Sequence, residues 1–200
     1  MNRSEASSVA PASWTHDWST LVKARLSLLV LATTLVGFLV AEPDRVAWAR
    51  LGWTLAGTFL SAAAAAALNQ ALERRHDARM HRTANRPVAS GRLSQPLAVI
   101  VGFVLGYAGC FMLAMRVNML ACGLSALTLV LYVAVYTPLK RVTTLNTVVG
   151  AVVGGIPPLI GWAAASGDLQ RGAWVLAALL FTWQLPHFFA LAWLHREDYA

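Results

Sequence analysis

The chain has 200 residues, 58% of them hydrophobic and only 12% charged, with a formal net charge of +7 and a mean hydropathy of +0.57. That composition lies outside the range of soluble globular domains and describes an integral membrane protein. In this class a basic excess follows from loops retained on one side of the bilayer, so we reject nucleic-acid binding as a reading of the charge.

The first residues, 1–17, are polar and lack a small-residue cleavage site after a short apolar core, so no signal peptide is read there and the apolar segments stay in the mature chain. A membrane span needs about 20 apolar residues. Six stretches qualify: Leu21 to Ala41, Leu51 to Leu72, Leu97 to Met115, Met119 to Tyr136, Thr147 to Ala165 and Gly172 to Leu194. The expected fold is therefore all-α, a polytopic transmembrane helical bundle forming one membrane domain over 1–200. Grouping the N-terminus with the second, fourth and C-terminal connections collects 12 of the 16 Lys and Arg residues on one side. The positive-inside rule makes that side, and the segment 1–17, cytoplasmic, in the inner membrane of a cell.

In chain order, the first span opens with Lys23 and Arg25, read as interface anchors with long stems in preference to anion ligands. The second carries the alanine run Ala62 to Ala67, which lets neighbouring helices approach closely. The connection after it, residues 73–96, is expected to be a cytoplasmic substrate-binding loop, with breakers at Asn85-Arg86-Pro87 and Ser90-Gly91-Arg92. The fourth span brings Tyr136, Lys140 and Arg141 to the same end. The fifth holds Gly150, Gly154, Gly155, Pro157 and Pro158, a density that implies close backbone packing or a broken helix. The sixth places Gln184 and His187 inside an apolar stretch, with Asp198 near the interface. Cys110 and Cys122 read as small core residues, with no paired metal or disulfide pattern. After Asp198 the chain stops at what looks like the start of a loop, so the sequence is expected to be incomplete at its C-terminus.

The chemistry concentrates in Asn69 to Arg92. Asn69, Glu73 and Asp77 are four residues apart, so a helix continuing through them presents an amide and two carboxylates within about 80° of one face. Such oxygens suit Mg²⁺, which keeps waters and takes its remaining ligands from substrate phosphates. The surrounding Arg74, Arg75, Arg79, Arg82, Arg86 and Arg92 offer bidentate donors to phosphate oxygens. Lys140 and Arg141 would add positive charge for a departing diphosphate. A basic loop required only by topology is the competing reading.

The spacing Asn69-x-x-x-Glu73-x-x-x-Asp77-x-x-Met80-x-Arg82-Thr83, followed by Asn85-Arg86-Pro87, resembles the first acidic motif of the UbiA-type intramembrane prenyltransferases. Tyr136-Thr137-x-Leu139-Lys140-Arg141, the Gly150 to Trp162 segment, and Trp183-Gln184-x-Pro186-His187-Phe188 with Asp198-Tyr199 are similar to later motifs in the members that prenylate heme. The resemblance implies nine spans around a central cavity, of which six are present here. It implies transfer of a farnesyl group from farnesyl diphosphate to a vinyl group of heme B, with the next enzyme of heme A synthesis or a terminal oxidase assembly pathway as downstream partner. In that scheme Glu73 and Asp77, with Asn69, hold Mg²⁺–diphosphate, and Arg82, Arg86, Lys140 and Arg141 neutralise the leaving group. Tyr136, His187 and Asp198 are substrate-side candidates. The chain departs from the family at Glu73, where Asp is usual, and at Arg75, where many members carry a further Asp. A prenyltransferase for a quinone precursor or chlorin, and a non-catalytic heme-handling or transport protein, are the alternatives.

Overall fold

A computed structural model describes residues 14–42, 44, 46–140 and 142–194. Among them every regular element is helical: α1 (Trp14–Leu21), α2 (Ala24–Ala41), α3 (Trp48–Asp77), α4 (Gln95–Arg116), α5 (Met119–Val130), a π-helical turn (Leu131–Tyr136), α6 (Thr137–Leu139), α7 (Asn146–Ser166) and α8 (Arg171–Leu194). Six helices are long and apolar enough to cross a membrane, α5 continuing through the π turn and α6 as one segment, Met119–Leu139.

Small residues decide which helices touch. On α4, Gly102 and Gly109 face α3, and a Cβ at Gly109 would lie 2.6 Å from Ser61 Oγ and 2.7 Å from the Gly57 carbonyl. The alanines Ala63, Ala64, Ala66 and Ala67 are buried. Without a hydrophobic driving force between helices in lipid, such close backbone approach supplies the packing contacts. α7 occupies the centre, with 78% of its apolar window buried. There Gly161 meets the Thr34 carbonyl of α2, and Gly37 of α2 meets the Pro158 carbonyl. Close packing is thus the outcome for the Gly/Pro-rich segment. The broken helix is not, since α7 runs unbroken through Pro157 and Pro158.

The expected loop 73–96 is shorter at both ends. α3 keeps Glu73 to Asp77, and α4 begins at Gln95, capped by Ser94 Oγ accepting from Leu97 N. Between them the chain folds back on α3: the Thr83 hydroxyl donates to the Asp77 carbonyl at 2.9 Å. Pro87 and Val88 are fully buried, and Val88 and Leu93 join Leu21, Ala67, Ala71 and Ala98 in one apolar cluster. That cluster, and not the turns, makes the loop ordered. The polar start of the chain is also helical within its described part: α1 lies against α3, its buried Asp17 gripped by Arg92 Nε at 3.0 Å to each oxygen.

Candidate active site

Because α3 continues to Asp77, Asn69, Glu73 and Asp77 share one face, and each is buried, at 2%, 1% and 3% exposure. Three cations from three other parts of the chain converge on them. Lys140 Nζ, just past α6, lies 2.7 Å from both oxygens of Glu73, with its hydrogen bond directed to Oε2. Arg86 from the loop donates through one terminal nitrogen to Asp77 Oδ1 and Oδ2 at 2.9 and 2.8 Å, and the same nitrogen is 4.0 Å from Glu73 Oε2. Lys23 Nζ donates to Asn69 Oδ1 at 3.1 Å and to the Tyr132 hydroxyl at 3.3 Å.

Local structure explains how each arrives. Lys23 sits between α1 and α2 with φ 48 and ψ 52, a left-handed backbone that a non-glycine residue adopts only under constraint. This elbow aims the side chain into the bundle. Reading Lys23 as an interface anchor is therefore corrected; Arg25, two residues on, stays exposed. The π turn Leu131–Tyr136 widens α5 where it meets α3, as π turns at functional sites often do. Thr137, buried behind it, donates to the Tyr132 carbonyl at 2.8 Å and accepts from Asn69 Nδ2 at 3.3 Å. Asn69 is thereby fixed in orientation with both ends of its amide occupied.

Glu73 Oε1 is buried, and its close partner is the Lys140 ammonium at 2.7 Å. A buried carboxylate held by a lysine that can move to another anion, beside a second carboxylate and an amide, fits a hard cation that completes its shell with water and phosphate oxygens. Among the described residues no cluster of three His, Cys, Asp or Glu side chains could cage a metal alone. The donor set thus calls for a ligand that brings oxygens of its own.

Rings continue from the cluster toward α8. Tyr132 stacks on Tyr136 at 5.3 Å, Tyr136 contacts Phe188 at 6.4 Å, and Phe188 contacts His187 at 6.0 Å. His187 stacks on Trp183 at 5.0 Å and both are exposed, so the structure leaves His187 at the far end of this row instead of beside the carboxylates. Arg82 is exposed on the loop. Arg141 and Asp198 fall outside the described residues. The six loop arginines separate: Arg86 joins the site, Arg92 holds Asp17, and Arg74, Arg75 and Arg79 line a cleft on another face of α3.

The chain is 50% identical over 181 residues to the mitochondrial protoheme IX farnesyltransferase of Arabidopsis thaliana, covering 90% of this chain and 42% of that protein. It is 46% identical over 194 residues to a protoheme IX farnesyltransferase of Solibacter usitatus, covering 92% of this chain and 66% of the relative. With the Legionella pneumophila protein of the same name the identity is 40% over 198 residues, 98% of this chain and 67% of the relative. The chain thus spans between about two fifths and two thirds of the length of these curated relatives. No solved structure gives a significant match. The family match begins at residue 30 and runs to residue 200, taking in the buried Asn69, Glu73 and Asp77 face and the helices around it, and by it the chain belongs to the UbiA prenyltransferase family.

Proposed function

We propose that this protein transfers the farnesyl group of farnesyl diphosphate to a vinyl group of heme B, forming heme O at the cytoplasmic face of a cell's inner membrane. The observation that carries the reading is the buried face of Asn69, Glu73 and Asp77 under Lys23, Lys140 and Arg86. Three cations against two carboxylates leave an excess positive charge for an anionic metal–diphosphate. The names of the relatives supply the acceptor, protoheme IX, and the group transferred, farnesyl.

Mg²⁺, when bound, would neutralise charge building on the leaving diphosphate. Glu73 and Asp77, with the Asn69 amide, are the residues that would hold it. On substrate binding Lys140 and Arg86 exchange their carboxylate partners for diphosphate oxygens, and Lys23 adds a third donor. The allylic C–O bond breaks with both electrons leaving on the diphosphate. The vinyl π electrons then form the new C–C bond, and the resulting cation is captured by water, which gives up a proton to leave a hydroxyethylfarnesyl group. The face of Tyr132 lies under Lys23 and Tyr136 stacks on it, where the two rings can cover the prenyl chain and exclude water from the allylic centre. Trp183 and His187, stacked with near-parallel rings, and the tilted Phe188 beside them would provide aromatic contacts on the acceptor side.

The test is direct. Purified protein given heme B, farnesyl diphosphate and Mg²⁺ should yield heme O, identified by mass; turnover of an aromatic acid with none of heme would move the protein to a different branch of the family.

A further inference from the structure

The outer face of α3 carries a second arrangement that prenyl transfer does not use. Arg74, Arg75, His76 and Arg79 line a cleft of about 740 Å³ together with Leu72 and Gln95. At 100° per residue, Leu72 and Arg75 point about 100° and 160° away from Glu73, so they turn from the face that carries it. Among the described residues no carboxylate pairs with Arg74, Arg75 or Arg79, whereas Arg86 and Arg92 of the same loop are both committed to acids. A topological requirement for positive charge accounts for how many arginines the loop has. It does not account for three of them converging on one cleft.

Depth identifies the ligand. Leu72, at the cleft edge, is 53% exposed, and on α4 the exposed Ile100 and Phe103 follow within about two turns of the cleft residue Gln95. The cleft therefore sits where lipid-facing apolar surface gives way to cations, which is the level of the phospholipid headgroups. Basic pockets between spans at this level suit anionic headgroups, and the guanidinium fork matches a phosphate. We propose that this cleft is a binding site for an anionic membrane phospholipid, whose phosphate is held by Arg74, Arg75 and Arg79 while its acyl chains run down past Leu72. The proposal does not depend on the prenyl-transfer reading, because it is read by lipid retention.

Detergent-extracted protein would be incubated with equal amounts of phosphatidylglycerol and phosphatidylcholine and analysed by native mass spectrometry. The expected result is selective retention of phosphatidylglycerol, weakened on the order of a hundredfold in Arg74→Gln/Arg75→Gln/Arg79→Gln and unchanged in Arg25→Gln, an exposed arginine at the same end of the bundle. Equal retention of the two lipids, indifference of the triple variant, or an equal loss in Arg25→Gln would each overturn the site. Displacement of the lipid by millimolar inorganic phosphate would overturn its assignment to a lipid. In the unaltered chain, photoactivatable phosphatidylglycerol should label peptides containing Leu72 to Arg79 or Gln95, and labelling confined to other segments would refute the proposal without any variant having to fold.

Discussion

Glu73 and His187 are both ionisable residues on membrane-spanning helices, yet the chain treats them oppositely. Glu73 is 1% exposed and held by Lys140 from across the bundle. His187 is exposed and held by ring stacking on Trp183 of its own helix. Their helices differ in the same way: the apolar window of α3 is 56% buried and that of α8 is 6% buried. In the proposed division of the site, the diphosphate half is assembled by long-range contacts within these residues, while the aromatic row on α8 that would meet the acceptor is exposed among the described residues. Burying charge demands partners in place, because an unpaired ion in low dielectric is expensive; an aromatic surface makes no such demand.

If that contrast is right, substitutions in the assembled half should be severe and those on α8 mild. The largest effect is expected for Asp77→Asn, which keeps shape but removes a charge from Arg86 and the proposed metal site: heme O formation should fall on the order of 10³-fold, and an unaffected rate would break the assignment of α3. Next, Lys23→Met should lower kcat/KM for farnesyl diphosphate about 10- to 100-fold, with the acceptor KM little changed. A Lys23→Met protein with unchanged kinetics would return this residue to the membrane interface. For His187→Ala we expect a roughly threefold to tenfold rise in the heme KM with farnesyl diphosphate binding intact, since the ring contributes stacking and no ion pair. Loss of diphosphate binding in that variant would erase the distinction between the halves. The smallest change in turnover is expected for Arg92→Gln, which strips buried Asp17 of its cation; it should cost about 1–3 kcal/mol of stability, seen as a lower Tm, while kcat stays close to its original value.

The comparison also shows which parts of the molecule sequence reasoning can reach. The six spans were legible because apolar length is a local property, and the α3 face was legible because a spacing of four has one meaning on a helix. Arg86 and Arg92 were indistinguishable by the same reasoning. What separates them is the burial of Pro87, Val88 and Leu93, which pins the loop so that one arginine meets Asp77 and the other Asp17. Lys23 carried the wrong reading for a similar reason. Its direction depends on a left-handed elbow that lysine does not favour by itself and that packing of α1 on α3 imposes. The Glu73 substitution for the family's usual Asp lengthens the arm at the position where Lys140 reaches across, a pairing visible only once both helices are placed.

The π-helical turn at Leu131–Tyr136 has a consequence for evolution of the site. A turn of this kind holds one residue more than an α-helical turn, so deleting a single residue there would restore ordinary helix and leave everything downstream in register. Thr137 and Lys140 would still face Asn69 and Glu73, whereas the same deletion in the α-helical part of α5 would turn them away by about 100°. The segment can therefore lose one residue at this turn and at no other point of the helix without dismantling the site.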